Sequence, residues 1–199
     1  DSLDVQLRGM HLRAQLDYID AYFEADLHGC LDSIYAQNMQ LIFRGEQLFS
    51  GNLAVVEPTK LEALYIQADS TDLFCNGALL QNLLQQLSVQ AFSLPPIITQ
   101  LGNVHYHGNI HGWLDSLSLK GIFNTSLGSI RVEGYLNSDT TLQNFYMSGD
   151  MHTHSFQLGN LLNQPDLGSI TLDAHITGKF EDKQFIAAKT KASIQQFEY

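Results

Sequence analysis

The sequence predicts a mainly β chain, folded as a curved antiparallel sheet or meander of repeated hairpins with one or two short helices. Three observations carry this. Apolar and polar residues alternate with a period of two, which places successive side chains on opposite faces of a strand. Charged residues make up only 16% of the 199 residues, and small polar residues suit strands and turns better than long surface helices. Short glycine-bearing segments recur where strands begin and end.

The alternation defines the strands in order. Leu3, Val5 and Leu7 alternate with Asp4, Gln6 and Arg8, and Met10, Leu12, Ala14 and Leu16 follow. Val104, Tyr106, Gly108 and Ile110 alternate with His105, His107, Asn109 and His111. Leu117, Leu119, Gly121 and Phe123 form the next run, then Ile130, Val132, Gly134 and Leu136. Ile170, Leu172, Ala174 and Ile176 precede a last run through Ile186, Ala188, Thr190, Ala192 and Ile194. One dry face and one wet face per strand is the pattern of an antiparallel sheet.

Two segments depart from it. From Asn76 to Val89, apolar residues fall at 79, 80, 83, 84 and 87, which is helical spacing, and Asn76 suits an N-cap. Phe156 to Asn163 is a shorter version that Pro165 is expected to stop. Leu94-Pro95-Pro96 marks an extended break. It places a soft boundary near 93–100, between an N-terminal segment (1–95) and a C-terminal repeated-hairpin segment (96–199) of one continuous sheet.

Two internal repeats recur three times each. Gly29-Cys30-Leu31-Asp32-Ser33, Gly112-Trp113-Leu114-Asp115-Ser116 and Gly178-Lys179-Phe180-Glu181-Asp182 share one form and read as equivalent hairpin turns. Leu101-Gly102-Asn103-Val104, Leu127-Gly128-Ser129-Ile130 and Leu167-Gly168-Ser169-Ile170 each read as the opening of a strand.

Charge and composition exclude several functions. A formal net charge of −11 opposes nucleic-acid binding and adsorption to anionic membranes. Cys30 and Cys75 form no CxxC and fit either a disulfide or two buried thiols. No signal peptide and no apolar run long enough to span a bilayer is visible. The alternating pattern runs to both ends, so the chain reads as an excised piece of a longer protein.

The segments Phe156-Gln157-Leu158-Gly159-Asn160-Leu161-Leu162, Asp166-Leu167-Gly168-Ser169-Ile170-Thr171-Leu172 and Ile176-Thr177-Gly178-Lys179-Phe180 resemble the AsmA/TamB-like envelope proteins of Gram-negative bacteria, most closely their TamB-type translocation and assembly members. The resemblance covers about residues 100–199. It implies a long, groove-like β-sheet in the periplasm and an inner-membrane anchor outside this segment. It also implies a role in outer-membrane biogenesis, through lipid passage between the two membranes, with an outer-membrane β-barrel as a partner. It supplies no catalytic residues.

His105, His107 and His111 share one strand face, and His152 and His154 form a second HxH. Imidazoles at this spacing suit Zn²⁺ or Cu²⁺, but alternation puts the first set on the wet face, so no metal site is assigned. No G-x-S-x-G, Walker loop or dinucleotide fingerprint occurs. The pairs Asp17/Asp20 and Glu181/Asp182 read as surface acids. The leucine stripe at Leu79, Leu80, Leu83, Leu84 and Leu87 reads as a face packed on the sheet.

The expectation is therefore a non-enzymatic periplasmic segment without catalytic residues or cofactors, whose apolar face forms part of a groove for lipid acyl chains. The rival is a closed β-sandwich serving as a binding or adhesion module at the cell surface; a hydrolase is a distant third. An open trough would favour the first, and two sheets closed on each other the second.

Overall fold

The structure, a computed structural model, describes residues 3–12, 21–30, 32–43, 45–60, 63–76, 100–113, 115–139, 144–181 and 184–198. Its strands are β1 (Leu3–Leu12), β2 (Ala21–Cys30), β3 (Ser33–Phe43), β4 (Glu46–Val56), β5 (Tyr65–Asn76), β6 (Asn103–Trp113), β7 (Ser116–Thr125), β8 (Gly128–Ser138), β9 (Phe145–Gln157), β10 (Ser169–Glu181) and β11 (Gln184–Phe197). One short helix, α1 (Leu158–Leu162), connects β9 to β10. All eleven strands lie in one sheet in sequence order, each antiparallel to the last, with β1 and β11 as open edges. The two sheets that a closed sandwich needs are not present among the described residues. The described strands therefore form no closed sandwich: consecutive hairpins extend one layer instead of crossing to a second.

The leucine stripe at 79–87 and the break at Pro95 and Pro96 lie outside the described residues. The strands on either side of them pair directly, Asn76 opposite Asn103, so one sheet runs through. The later helical segment is only partly helical. Phe156 and Gln157 complete β9, and α1 ends on Asn163 in the left-handed region (φ +54°), before Pro165 is reached.

Two copies of the first repeat are structurally equivalent. Cys30 pairs with Ser33 and Trp113 with Ser116, so a tight turn follows each. Gly29 (φ +134°) and Gly112 (φ +137°) adopt backbone angles that side chains disfavour. A Cβ there would stand 2.1 Å from the Ser33 carbonyl oxygen and 2.0 Å from that of Ser116. The third copy is not equivalent. Glu181 pairs with Gln184, so the turn falls two residues later and Gly178 sits within β10, opposite Met147 and Ala188.

The second repeat opens β6, β8 and β10 as expected, all at one end of the sheet. There the Ser126 N–H donates to the Leu101 carbonyl (3.1 Å) and the Gln157 N–H to that of Leu127 (2.8 Å). Leu127, Phe156 and Ile170 bury a small core at this end, with Leu101, Ile130, Leu158, Leu161 and Leu172 packed on it. Each such side chain, fully buried, contributes roughly 1.5–3 kcal/mol.

The first five strands share a further feature. Register shifts fall between Leu7 and Met10, Glu24 and Asp26, Ala36 and Met39, Ser50 and Asn52, and Ala68 and Thr71. They form a line of bulges across the sheet, and bulges bend and twist a strand. Asn38 (φ +51°) and Ser70 (φ +48°) take left-handed angles there. Their displaced amides are satisfied from the neighbouring strand: the Asn38 N–H donates to Asn52 Oδ1 (3.1 Å) and the Ser70 N–H to Asn109 Oδ1 (2.8 Å).

Candidate functional site: an apolar trough

Register decides which side chains share a face, because directly paired residues point the same way. One row crosses the sheet as Ile110, Leu119, Gly134, Gly149 and Ile176. Beside it runs a row of Leu117, Leu136 and Met147, and on the other side Val132 and Met151. This is the dry face that alternation predicts. Among the described residues no second layer covers it: Met147 is 37% exposed, and Ile194 on the edge strand 61%.

At the centre of these rows lies a concavity of about 470 Å³. Gly134 and Gly149 face each other across β8 and β9 and form its floor. Their strands approach so closely that a Cβ on Gly134 would meet the Ser148 carbonyl oxygen at 2.7 Å and Gly149 Cα at 2.9 Å. No lining residue is charged, and the side chains of Ser118, Tyr135 and Ser148 belong by alternation to the opposite face. Such a lining can desolvate hydrocarbon.

The opposite face carries the charge. Lys120 Nζ meets Glu133 Oε2 at 2.8 Å, His175 Nδ1 meets Asp150 Oδ1 at 2.8 Å, and His152 Nδ1 meets Asp173 Oδ1 at 2.6 Å. A second concavity of about 650 Å³ runs between these ladders. It is the larger of the two, yet much of the charge along its walls is already matched across neighbouring strands.

The predicted histidine face is on this wet side. His105 Nε2 and His107 Nδ1 both contact Asp72 Oδ1, at 2.7 and 2.9 Å, and the His105 ring stacks on Phe74 with centroids 4.3 Å apart. Burial alone would raise the Asp72 pKa, but the hydrogen bonds and charges of the two histidines outweigh it and hold the carboxyl below its ordinary value. His111 and His154 are exposed on the same side. Among the described residues, no group of three or more His, Cys, Asp or Glu is arranged to hold a metal ion. Cys30 and Cys75 are not joined by a disulfide; they lie in β2 and β5, with two strands between. A hydrogen bond to Ser33 (Sγ to Oγ 3.3 Å), helped by the backbone there, lowers the Cys30 pKa. Asp17, Asp20 and Asp182 lie outside the described residues.

Alternation picked out Ile110, Leu117, Leu119, Val132, Gly134, Leu136 and Ile176, which the trough brings together. It passed over Met147, Gly149 and Met151, although these three also alternate. In comparisons with known proteins, no family model, no curated protein and no solved structure matches this chain.

Proposed function

We propose that this chain is a non-catalytic segment of a periplasmic, AsmA/TamB-like envelope-biogenesis protein, and that its dry face carries lipid acyl chains between the inner and outer membranes. The observation that carries the reading is the uncovered apolar trough over β6–β10. An apolar sheet face normally has to be buried against something. Here the described strands supply no second layer, and hydrocarbon is a ligand that such a face binds by area alone, at about 25 cal/mol per Å². The segments resembling AsmA/TamB-like proteins support the same reading. On this reading the full-length protein is anchored in the inner membrane outside this segment and meets an outer-membrane β-barrel.

The test uses a photo-crosslinking residue placed at Leu119, on the dry face, or at Ser118, its neighbour on the wet face. Expressed in a Gram-negative periplasm and irradiated, the Leu119 protein should capture phospholipid and the Ser118 protein should not. Equal capture at both positions, or none at either, refutes the reading.

A further inference from the structure

Two glycine pairs face each other across strands on the dry side, and the fold treats them differently. Gly108 and Gly121 pair across β6 and β7, and Tyr106 lies over both. A Cβ on Gly108 would meet the Tyr106 hydroxyl at 2.6 Å, and one on Gly121 would meet its ring at 2.5 Å. That hydroxyl donates to the carbonyls of Asn109 (2.9 Å) and Lys120 (3.2 Å), which locks the ring in place, 2% exposed. The gap left by the missing side chains is filled from within. At Gly134 and Gly149, by contrast, the three atoms nearest each Cβ are all backbone, with no ring among them as Tyr106 is at the first pair. This gap is left unfilled, and it is the floor of the 470 Å³ concavity.

We infer that the Gly134–Gly149 gap is a discrete seat for a single acyl chain, not merely one stretch of a uniform slide. The inference rests on the lipid-carrying reading and adds a stoichiometry and a length limit to it. At roughly 30 Å³ per carbon, close to the liquid volume of one water, about 470 Å³ holds on the order of sixteen carbons of one chain. The walls suit such a ligand: Met147 and Met151 are unbranched and adapt to irregular hydrocarbon, while Ile110 and Ile176 set the sides. The missing side chains let the chain lie close against the strands themselves.

Affinity should then depend on chain length up to a limit. Lysophospholipids of ten to twenty carbons, delivered from cyclodextrin to the intact chain, provide the series; native mass spectrometry reads stoichiometry, and competition against a fluorescent lysophospholipid reads affinity. We expect one lipid per chain, binding that tightens about two- to fourfold per added methylene, and a plateau near sixteen carbons. Val132→Trp, which narrows the seat, should bring the plateau to shorter chains, and Val132→Ala should move it to longer ones. Met147→Phe is a second narrowing variant with the same expected direction. Opposite shifts of a length limit are not produced by partial unfolding. Two or more lipids per chain, affinity indifferent to length, or a plateau that the variants leave in place overturns the seat while leaving the lipid-carrying reading intact. Absence of binding at every length overturns both.

Discussion

Ile130 and Val132 stand two residues apart on β8, on the same face, and placing Asp at each separates a packed position from an open one. Ile130 packs on the Leu127–Phe156–Ile170 core, whereas Val132 lines the trough. Ile130 is partly buried against that core, so Ile130→Asp forfeits about half of the roughly 1.5–3 kcal/mol that full burial of such a side chain contributes. It also forces a carboxylate toward the core, at a further cost of about 1–3 kcal/mol by mutational scales. The expected loss is about 2–4 kcal/mol, a large share of a typical domain's stability. At Val132 the new carboxylate can reach water through the open side of the trough, and the loss should be about 1 kcal/mol or less. Urea denaturation followed by circular dichroism measures both, and lipid capture by Val132→Asp should fall even though the fold survives. Comparable destabilisation by the two variants would refute the reasoning, since it would mean that the face over Val132 is covered.

Other perturbations test the frame around the site. Thr71 is fully buried, and its hydroxyl has no hydrogen-bond partner; Thr71→Val keeps the shape, removes the orphan, and should raise the urea midpoint by an amount corresponding to about 1 kcal/mol. Gly45 (φ +79°) has open space where a Cβ would go, whereas Gly112 has the Ser116 carbonyl oxygen at 2.0 Å. Gly45→Ala should therefore cost about 1 kcal/mol for the backbone angle alone, and Gly112→Ala clearly more, as read by thermal melts of both. The Asp72 pKa is depressed in the folded chain, so its contribution is present above the ordinary aspartate value and lost as pH falls through the folded one. As pH falls below about 4, stability should fall less steeply in Asp72→Asn than in the parent chain, as followed by denaturation across an acid series.

The part of the fold that was legible in sequence is the part where period two runs unbroken. β6, β7 and β8 contain no register shift against one another, and their alternating residues were assigned to the correct faces. β2, β3, β4 and β5 were not singled out, and each carries a bulge. One extra residue moves every later side chain to the other face, so a strand such as Ser33–Phe43 reads as two short, conflicting patterns joined at Gln37 and Asn38. In β9 the alternation of Met147, Gly149 and Met151 is regular, and only the end of the strand departs from it, where Ser155 takes a left-handed angle (φ +47°) and its amide is satisfied by Thr171 Oγ1 at 3.0 Å. The trough was legible on three of its strands, but its Gly134–Gly149 floor depends on register between β8 and β9, which no local pattern carries. The third glycine turn was misplaced because its motif matches in composition while the Glu181–Gln184 pairing moves the turn.

A single layer also has to be stable without a large core, and its wet face indicates how this is achieved. Among the described residues the buried apolar side chains are few, and several are alanines: Ala25, Ala36, Ala68 and Ala174. Small side chains bury little area, so the sheet relies on what joins strand to strand. On the wet face Asp72 takes hydrogen bonds from two histidines of β6, and β9 and β10 exchange two His–Asp pairs, His152–Asp173 and Asp150–His175. Asn52 and Asn109 each satisfy a bulge amide of a neighbouring strand. Exposed pairs contribute only a few tenths of a kcal/mol to about 1 kcal/mol each. Repeated along the sheet they fix its register, and register is what keeps all the apolar side chains on one face. The polar ladder thus does for this sheet part of what a second layer does in a sandwich, and it does so from the side that leaves the trough open.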